Sequence, residues 1–230
     1  MCKKLLIWLV KVKVHSLDSL SFMVADKNIT LSKLKEPIAI ISADKEIIEL
    51  AQEKGVFNVI GVFDRNSKAD GHGLPILGNN EEWEKIKLNY PSIKVVLAID
   101  LPNNKERLAV YYGFDSLITL ISEDAYISHS ATVGHGCIVQ RGSKIMADVK
   151  IGKCCKININ VTVHHDTVVG DFCTLAPGCQ LLGSATIGNG VFVGAGAIVL
   201  PKVRVSEDVV IGAGAVLVSD IPRGCIVAGV

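Results

Sequence analysis

The chain has 230 residues, 49% of them hydrophobic, and a formal net charge of +1. This length accommodates one or two domains, each able to bury a core of its own. The composition argues against disorder, and the near-zero charge argues against nucleic-acid binding. No apolar run reaches the length that a membrane span requires.

The first 36 residues show the weakest pattern. Residues 5–10, LLIWLV, follow two lysines and could suggest a signal peptide, but Lys11 and Lys13 interrupt the run and no small-residue cleavage site follows. We therefore predict a strand there, an edge strand over residues 11–14, and a cytoplasmic protein. No function is assigned to this extension.

From Pro37 onward, short apolar runs alternate with amphipathic segments. The predicted strands are residues 38–41, 59–63 and 95–99, and the predicted helices are residues 43–54, 81–88 and 103–112. Gly55 is expected to end the first helix. A β-α-β unit of this length favours a parallel sheet with right-handed crossovers, so we predict a small Rossmann-like α/β domain. Residues 117–121 then lead into the next region.

Residues 125–220 repeat with a period of six and no insertion. Sixteen hexads starting at Ala125 carry Ile, Val or Leu at every third position, from Ile127 to Leu217. The first position is always small or β-branched. Such a period is typical of a parallel β-helix, where each repeat buries its aliphatic residue against the next coil. We predict this β-helix over residues 123–230 and the N-terminal domain over residues 1–122.

The cysteines fit the same repeat. Cys137, Cys155 and Cys173 are 18 residues apart, which is three hexads, and Cys179 also occupies a first position. In a triangular coil with three hexads per turn, the first three would stack on one another. No CxxC pair supports a zinc site. We therefore predict reduced cysteines that serve as small packing residues.

Several strings in the same order resemble a known family, that of the NeuD-like sialic acid O-acetyltransferases and nucleotide-amino-sugar N-acetyltransferases. The strings are GLPILG at residues 73–78, the segment 158–166 that ends in VHHD, residues 169–171 followed by APG at 176–178, and VGAGAIVLP at 193–201. The resemblance covers roughly residues 37–230. It implies a left-handed β-helix acyltransferase that assembles as a homotrimer.

The resemblance also implies a reaction. Acetyl-CoA would lie in the groove between subunits, and a histidine would act as general base while the acceptor attacks the thioester directly. The matching base is His165, and Asp166 is the adjacent carboxylate. Imidazole titrates near neutral pH, and a neighbouring carboxylate can hold its tautomer. Because Val163 is an inward third position, the pair is expected at an exposed corner.

Two more residues match positions near the coenzyme, and a third, Thr174, occupies such a position but departs from the family pattern. Ala195 and Ala213 each stand between two glycines and are 18 residues apart, so they would stack on successive coils. The glycines themselves are equally well explained by the tight corners of a coil. Thr174 stands where many members carry a histidine near the acetyl group, and its hydroxyl could donate a hydrogen bond there.

The acceptor sugar is expected to contact Asp64, Asn158 and His164. Asp64 matches the acidic position after the second strand of the family, and the other two lie in the matched segment around the base. A metal site is not expected, because His164 and His165 lack a third ligand in the sequence.

The loop after the first strand departs from the family pattern. In place of a glycine-rich loop that cradles a nucleotide sugar, residues 42–46 read SADKE. Phosphate binding at a helix N-terminus uses bare backbone N–H groups, and Asp44 and Glu46 bring negative charge instead. Asp100 likewise stands where the family often has glycine. These departures leave two interpretations of the N-terminal domain: it binds a different acceptor, or it is only structural.

Two reactions stay open in bacterial glycan or surface-polysaccharide synthesis. One is N-acetylation of a nucleotide-linked amino sugar, and the other is O-acetylation of a sialic-acid-like sugar. The altered loop slightly favours the second, because a free nonulosonic acid needs no diphosphate cradle. The alternative from another class is a catalytically decayed β-helix that acts as a scaffold or coenzyme-binding protein. The intact pair of His165 and Asp166 argues for an enzyme.

Overall fold

The computed structural model describes residues 35–66 and 71–230. Within it, Glu36–Val230 form one compact unit. The strands predicted over residues 5–10 and 11–14 lie outside the described residues. No helix in the described part of the chain is long and apolar enough to cross a bilayer.

The first part of this unit is a four-stranded parallel sheet with three α-helices. The strands are β1 (Glu36–Ile41), β2 (Phe57–Phe63), β3 (Ile76–Gly78) and β4 (Lys94–Leu97), in the order β3-β2-β1-β4. The helices are α1 (Lys45–Glu53), α2 (Trp83–Asn89) and α3 (Pro102–Tyr112), with short 3-10 helices at Asn80–Glu82 and Phe114–Ser116. The predicted α/β domain is therefore confirmed, and the ends of its predicted elements lie within about two residues of the observed ones.

The short strand β3 was not predicted. The sequence showed only a turn leading to a helix at this point, because three residues are too few to display the alternation of a strand. Pairing with β2 defines it: the N–H of Val62 donates to the carbonyl oxygen of Pro75 at 2.9 Å. Gly61 permits this close approach, since a Cβ there would lie 2.6 Å from the same oxygen.

Helix α1 forms as its local sequence predicts. The Asp44 carboxylate caps the helix by accepting a hydrogen bond from the N–H of Ile47 at 3.3 Å. The apolar residues of the helix are buried: Ile47, Ile48, Leu50 and Ala51. Gly55 follows the helix in the left-handed conformation, with φ +64°, where glycine meets no Cβ clash.

The second part is a coil with three parallel sheets and strands of two residues. The five-stranded sheet contains Thr132–Val133, Lys150–Ile151, Val168–Val169, Thr186–Ile187 and Arg204–Val205. The six-stranded sheet contains Tyr126–Ile127, Lys144–Ile145, Thr162–Val163, Gln180–Leu181, Ile198–Val199 and Val216–Leu217. The seven-stranded sheet contains Leu120–Ile121, Ile138–Val139, Lys156–Ile157, Thr174–Leu175, Phe192–Val193, Val210–Ile211 and Ile226–Val227.

The hexad pattern accounts for the core of the coil. First- and third-position side chains, such as Val161 and Val163, form one continuous apolar cluster along the coil axis. From Gly136 to Gly214 every sixth position has a positive φ, so each corner turns on a left-handed residue. The predicted parallel β-helix is confirmed.

The seven-stranded sheet carries the α/β domain. Its residues Leu120 and Ile138 share an apolar cluster with Ile40 and Val96 of the α/β sheet. Lys54, which follows α1, donates a hydrogen bond to the carbonyl oxygen of Ile121 at 2.7 Å. The two parts share this core, and the division into domains at residues 1–122 and 123–230 stays a prediction.

The stacked cysteines are packing residues, as predicted. Cys137, Cys155 and Cys173 are buried and free, and each thiol donates to a backbone carbonyl oxygen at 3.0–3.1 Å. Burial raises the pKa of Cys179 to about 12, which keeps that thiol neutral.

Candidate active site

The pair predicted to be catalytic lies at an exposed corner of the coil. His165 and Asp166 follow the strand Thr162–Val163, and their side chains are 64% and 59% exposed. Nδ1 of His165 is 2.8 Å from Oδ2 of Asp166. An ionised carboxylate only accepts hydrogen bonds, so this contact favours a proton on Nδ1. It leaves Nε2, the other ring nitrogen, as the proton acceptor.

The backbone around this pair is held by the coils on both sides. The N–H of Asp166 donates to the carbonyl oxygen of Ala147 at 3.0 Å, and the carbonyl oxygen of His165 accepts from Ser184 at 2.9 Å. Asp166 is the left-handed corner residue, with φ +59°, a conformation that aspartate tolerates better than most residues. The half-buried His164 precedes the pair. These backbone hydrogen bonds hold in place the corner that carries the imidazole.

The other histidines of the coil serve no comparable pair. His129 lies exposed at the equivalent corner two coils earlier. His135 lies at a different corner, and its Nε2 is 3.0 Å from the carbonyl oxygen of Phe114, which ties the coil to the chain segment before it. Both remain exposed turn residues, as predicted.

The alanines predicted to contact the coenzyme lie at another corner of the coil. Ala195 and Ala213 are exposed and follow strands of the seven-stranded sheet, whereas His165 follows a strand of the six-stranded sheet. The two alanines stack on successive coils, where the N–H of Gly214 donates to the carbonyl oxygen of Ala195 at 2.8 Å. Gly194 is required for this stacking, since a Cβ there would lie 2.5 Å from the nitrogen of Ala213. Within one chain, these alanines and the predicted base therefore lie at different corners of the coil.

Residues that depart from the family pattern meet at the junction between the α/β sheet and the coil. Nζ of Lys156 lies 2.8 Å from Asp44 and 3.0 Å from Asp100, and the lysine side chain is only 3% exposed. Burial by itself lowers the pKa of Lys156, but the hydrogen bond to Asp44 and the charges of both carboxylates outweigh it and hold the pKa above its usual value. Asp44 thus faces a buried cation.

Thr174 belongs to the same junction. Its hydroxyl donates to the backbone carbonyl oxygen of Asp100 at 2.6 Å and accepts from Nζ of Lys105 at 2.7 Å. Lys105, on α3, is buried and also donates to the carbonyl oxygen of Cys173 at 2.6 Å. Burial lowers the pKa of Lys105 to about 8. Because the Thr174 hydroxyl is engaged twice within the chain, its contact with the acetyl group stays a prediction.

Sequence reasoning missed both lysines. Lys156 occupies a second hexad position, where Lys144 and Lys150 are exposed, and Lys105 lies on the helix Pro102–Tyr112 among other polar residues. Only the absence of glycine in residues 42–46 pointed to a changed junction, and it did not identify the partner of Asp44.

A cavity of about 480 Å³ opens at this junction. Asp44, Asp100 and Lys156 line it together with Asn158, Thr174 and Phe192. The Asn158 side-chain amide donates to the carbonyl oxygen of Leu175 at 2.9 Å, which holds that side chain in place. The structure thus brings Asn158 and Thr174 into one cavity, while His165 and His164 do not line it.

A second cavity, of about 210 Å³, lies at the carboxyl ends of the strands in the α/β sheet. Asp64 lines it with Arg65, Asn104 and Arg107. The Asp64 carboxylate accepts hydrogen bonds from the backbone N–H of Ala43 at 3.1 Å and from that of Asn66 at 2.9 Å. The strand order reverses between β1 and β4, and ligands of open parallel sheets bind outside the carboxyl ends at such a point.

Two arginines and one carboxylate, that of Asp64, are the charged side chains that line this second cavity. Among the described residues, neither Arg65 nor Arg107 has a carboxylate partner within 4.0 Å. An adjoining cavity of about 460 Å³ is lined by the same arginines, with Asn80, Glu81 and Tyr111. The edge of the sheet therefore offers two guanidinium groups to an anionic ligand. Residues 35–66 and 71–230 contain no group of three or more His, Cys, Asp or Glu able to hold a metal.

Comparisons with known proteins agree with this architecture. The family model described as bacterial transferase hexapeptide (six repeats) matches residues 148–183 and 184–219. The solved acetyltransferase domain of PglB from Neisseria gonorrhoeae is 30% identical over 85% of this chain and 97% of that chain, with a TM-score of 0.79. No match was found among curated proteins.

Two further solved structures extend the comparison. A histidine variant of perosamine N-acetyltransferase from Caulobacter crescentus, in complex with CoA and GDP-perosamine, is 28% identical over 84% of this chain and 93% of that chain, with a TM-score of 0.78. WeeI from Acinetobacter baumannii is 24% identical over 85% of this chain and 97% of that chain, with a TM-score of 0.74; it supports the fold alone.

The hexad coil and its matches define a hexapeptide-repeat transferase. The chain belongs to the acetyltransferases of the left-handed β-helix type, the family that its sequence resembles. The predicted enzyme class, an acetyl-CoA-dependent acetyltransferase, is confirmed, and so is the left-handed β-helix.

Proposed function

We propose that this protein transfers the acetyl group of acetyl-CoA to the amino group of a nucleotide-linked sugar in bacterial glycan synthesis. The observation that carries the proposal is the arginine-lined cavity at the carboxyl ends of the α/β strands. Guanidinium groups present planar hydrogen-bond forks that match phosphate oxygens. A free sialic-acid-like acceptor carries a single carboxylate, which one guanidinium fork can bind, whereas a diphosphate offers oxygens to both arginines.

The loop after β1 explains why arginines would bind the phosphates. The N–H of Ser42 donates to the carbonyl oxygen of Phe63 at 2.8 Å, and the N–H of Asp44 to that of Ser42 at 2.9 Å. The N–H of Ala43 donates to Asp64. These backbone donors are already used, and the carboxylate of Asp44 would repel an anion. The diphosphate is therefore assigned to Arg65 and Arg107.

Asp64 is assigned to the sugar hydroxyls of the nucleotide. An acidic residue after the second strand binds ribose hydroxyls in dinucleotide-binding sheets. Each carboxylate oxygen of Asp64 accepts one backbone hydrogen bond and keeps a second lone pair for a ligand. Asn158, in the neighbouring cavity, is assigned to the acceptor sugar.

His165 supplies the proton chemistry in this proposal. The acceptor amine attacks the thioester carbonyl, so a C–N bond forms and the C–S bond breaks. Nε2 takes the proton that the amine loses, and the imidazolium returns it to the departing thiolate of CoA. The Asp166 contact at Nδ1 stabilises the imidazolium while it exists.

The separation of the two corners supports a site between subunits. His165 lies at the corner after the six-stranded sheet, and Ala195 and Ala213 lie at the corner after the seven-stranded sheet. We assign the coenzyme groove to the alanines of one subunit and the base to a neighbouring subunit in a homotrimer. His164, beside the base, is assigned to the acceptor.

Calorimetric titration of the purified protein tests the proposal, followed by assays of CoA thiol release. Acetyl-CoA should bind, GDP-, UDP- or dTDP-linked amino sugars should bind, and at least one should be acetylated. Binding of acetyl-CoA together with turnover of a free sialic-acid-like sugar only would replace N-acetylation with O-acetylation. Absence of acetyl-CoA binding would overturn the proposed reaction.

A further inference from the structure

Gly183 lies directly against the imidazole of His165. It is 18 residues further along the chain, so it occupies the same corner on the next coil. A Cβ built on Gly183 would lie 2.7 Å from Nε2 and 2.8 Å from Cε1 of His165. These separations are shorter than van der Waals contact, so the observed ring position requires glycine at residue 183.

The fold itself does not require this glycine. Gly183 lies outside the left-handed region of φ that glycine alone adopts easily, and all three of the nearest atoms to its hypothetical Cβ belong to the His165 ring. Gly188 differs: a Cβ there would lie 2.7 Å from the backbone nitrogen of Glu207. Gly194 likewise meets the backbone of the next coil. A Cβ at Gly183 would thus clash with a side chain, whereas a Cβ at Gly188 or Gly194 would clash with the backbone.

We infer that Gly183 is a positioning residue for His165. Its missing side chain lets the ring lie against the coil with Nδ1 on Asp166 and Nε2 beside the open backbone. A methyl group would force the ring to rotate about its side-chain bonds, and rotation separates Nδ1 from the carboxylate. The inference rests on the proposed role of His165 as the base.

The substitution Gly183→Ala is expected to lower kcat by about 10- to 100-fold, since a displacement of about 1 Å at a reacting group costs roughly this much. The KM for acetyl-CoA should change less than twofold, because the coenzyme corner is elsewhere. In the ligand-free protein, the ¹⁵N NMR spectrum of His165 should lose the Nδ1-protonated tautomer. Thermal stability should stay within a few degrees of that of the parent protein.

A double-mutant cycle with His165→Ala separates positioning from structure. If Gly183 acts through the ring, then Gly183→Ala added to His165→Ala should change neither residual turnover nor melting temperature. Gly188→Ala is the matched control, expected to lower the melting temperature in both backgrounds through its backbone clash. Unchanged kcat and an unchanged tautomer in Gly183→Ala would overturn the inference, as would a loss of stability equal to that of Gly188→Ala.

The spectroscopic measurement keeps this inference distinct from the proposed function. If His165→Ala retains full turnover, the base assignment fails. The tautomer of His165 in Gly183→Ala would still report whether the glycine positions the ring.

Discussion

At the scale of single residues, the proposed chemistry depends on an imidazole that contributes little to the fold. The His165 side chain is largely exposed, and its one polar side-chain contact in the described part of the chain is with its neighbour Asp166. General-base groups typically contribute about 10²- to 10⁴-fold to rate. Removing this side chain should therefore affect catalysis and leave packing intact.

We expect His165→Ala to lower kcat by about 100-fold or more with no change in melting temperature or assembly. Thiol-release kinetics, differential scanning calorimetry and sedimentation measure the three quantities. His129→Ala is the matched control, because it removes an exposed histidine from the same corner two coils earlier. Equal turnover in the two variants would end the general-base assignment.

Arg107 is expected to act in binding and not in the chemical step. Arg107→Met should raise the KM for a nucleotide-linked amino sugar by about 10- to 100-fold, because charge-assisted hydrogen bonds to phosphate contribute roughly 1.5–3 kcal/mol. The KM for acetyl-CoA should not change. Arg204→Met, an exposed arginine of the coil, is the control, and equal nucleotide-sugar KM values in both variants would contradict the assigned phosphate site.

At the scale of elements, Lys156 joins the α/β domain to the coil. Lys156→Met leaves the carboxylates of Asp44 and Asp100 without their cation, which destabilises the junction. Loss of one partner from a fully buried pair costs about 3–5 kcal/mol; here Asp100 is 56% exposed, so we expect roughly 1–3 kcal/mol after screening. Lys150→Met, at the same hexad position but with an exposed side chain, should change stability by no more than about 0.5 kcal/mol, the ordinary range for surface substitutions. Denaturation curves of both variants measure the difference, and equal stabilities would contradict the role of Lys156.

Lys105 makes the same junction sensitive to pH. Burial lowers the pKa of its ammonium to about 8, from an ordinary value of 10.5. Between these values the unfolded chain holds more protons at this site than the folded protein does, so stability rises with pH.

Relative to Lys105→Met, the free energy of unfolding of the parent protein should increase by up to roughly 1.4 kcal/mol per pH unit in that window. Denaturation curves at several pH values between about 8 and 10 measure this difference. The corresponding difference for the exposed Lys150→Met should stay flat. A flat difference for Lys105→Met as well would show that burial does not perturb this lysine.

At the scale of the whole molecule, the proposed active site combines corners from two subunits. Ala213→Trp should block the coenzyme groove, and His165→Ala removes the base, so each variant by itself should be nearly inactive. Trimers formed by co-expressing the two variants contain sites with an intact base from one subunit and an intact groove from another. We expect these mixed trimers to recover activity. Inactive mixed trimers would place the base and the groove in the same subunit.

Local patterns in the sequence predicted much of this protein. The hexad phase is a property of neighbouring residues, so it placed Val163 inside the coil and His165 at an exposed corner before any contact was known. The same holds for the helix that Gly55 ends. The roles of Asp64, Asn158 and the two alanines came from the family resemblance, and those roles stay predictions.

Contacts between distant segments were decided only by the tertiary structure. Lys105 and Lys156 look like ordinary surface lysines, because burial depends on how the α/β sheet docks against the coil and not on their neighbours in sequence. The same docking pairs Asp44 with Lys156 and engages the hydroxyl of Thr174. The contact of Gly183 with His165 depends on how two successive coils stack. A repeat of six residues determines the direction of each side chain, whereas packing determines what that side chain meets.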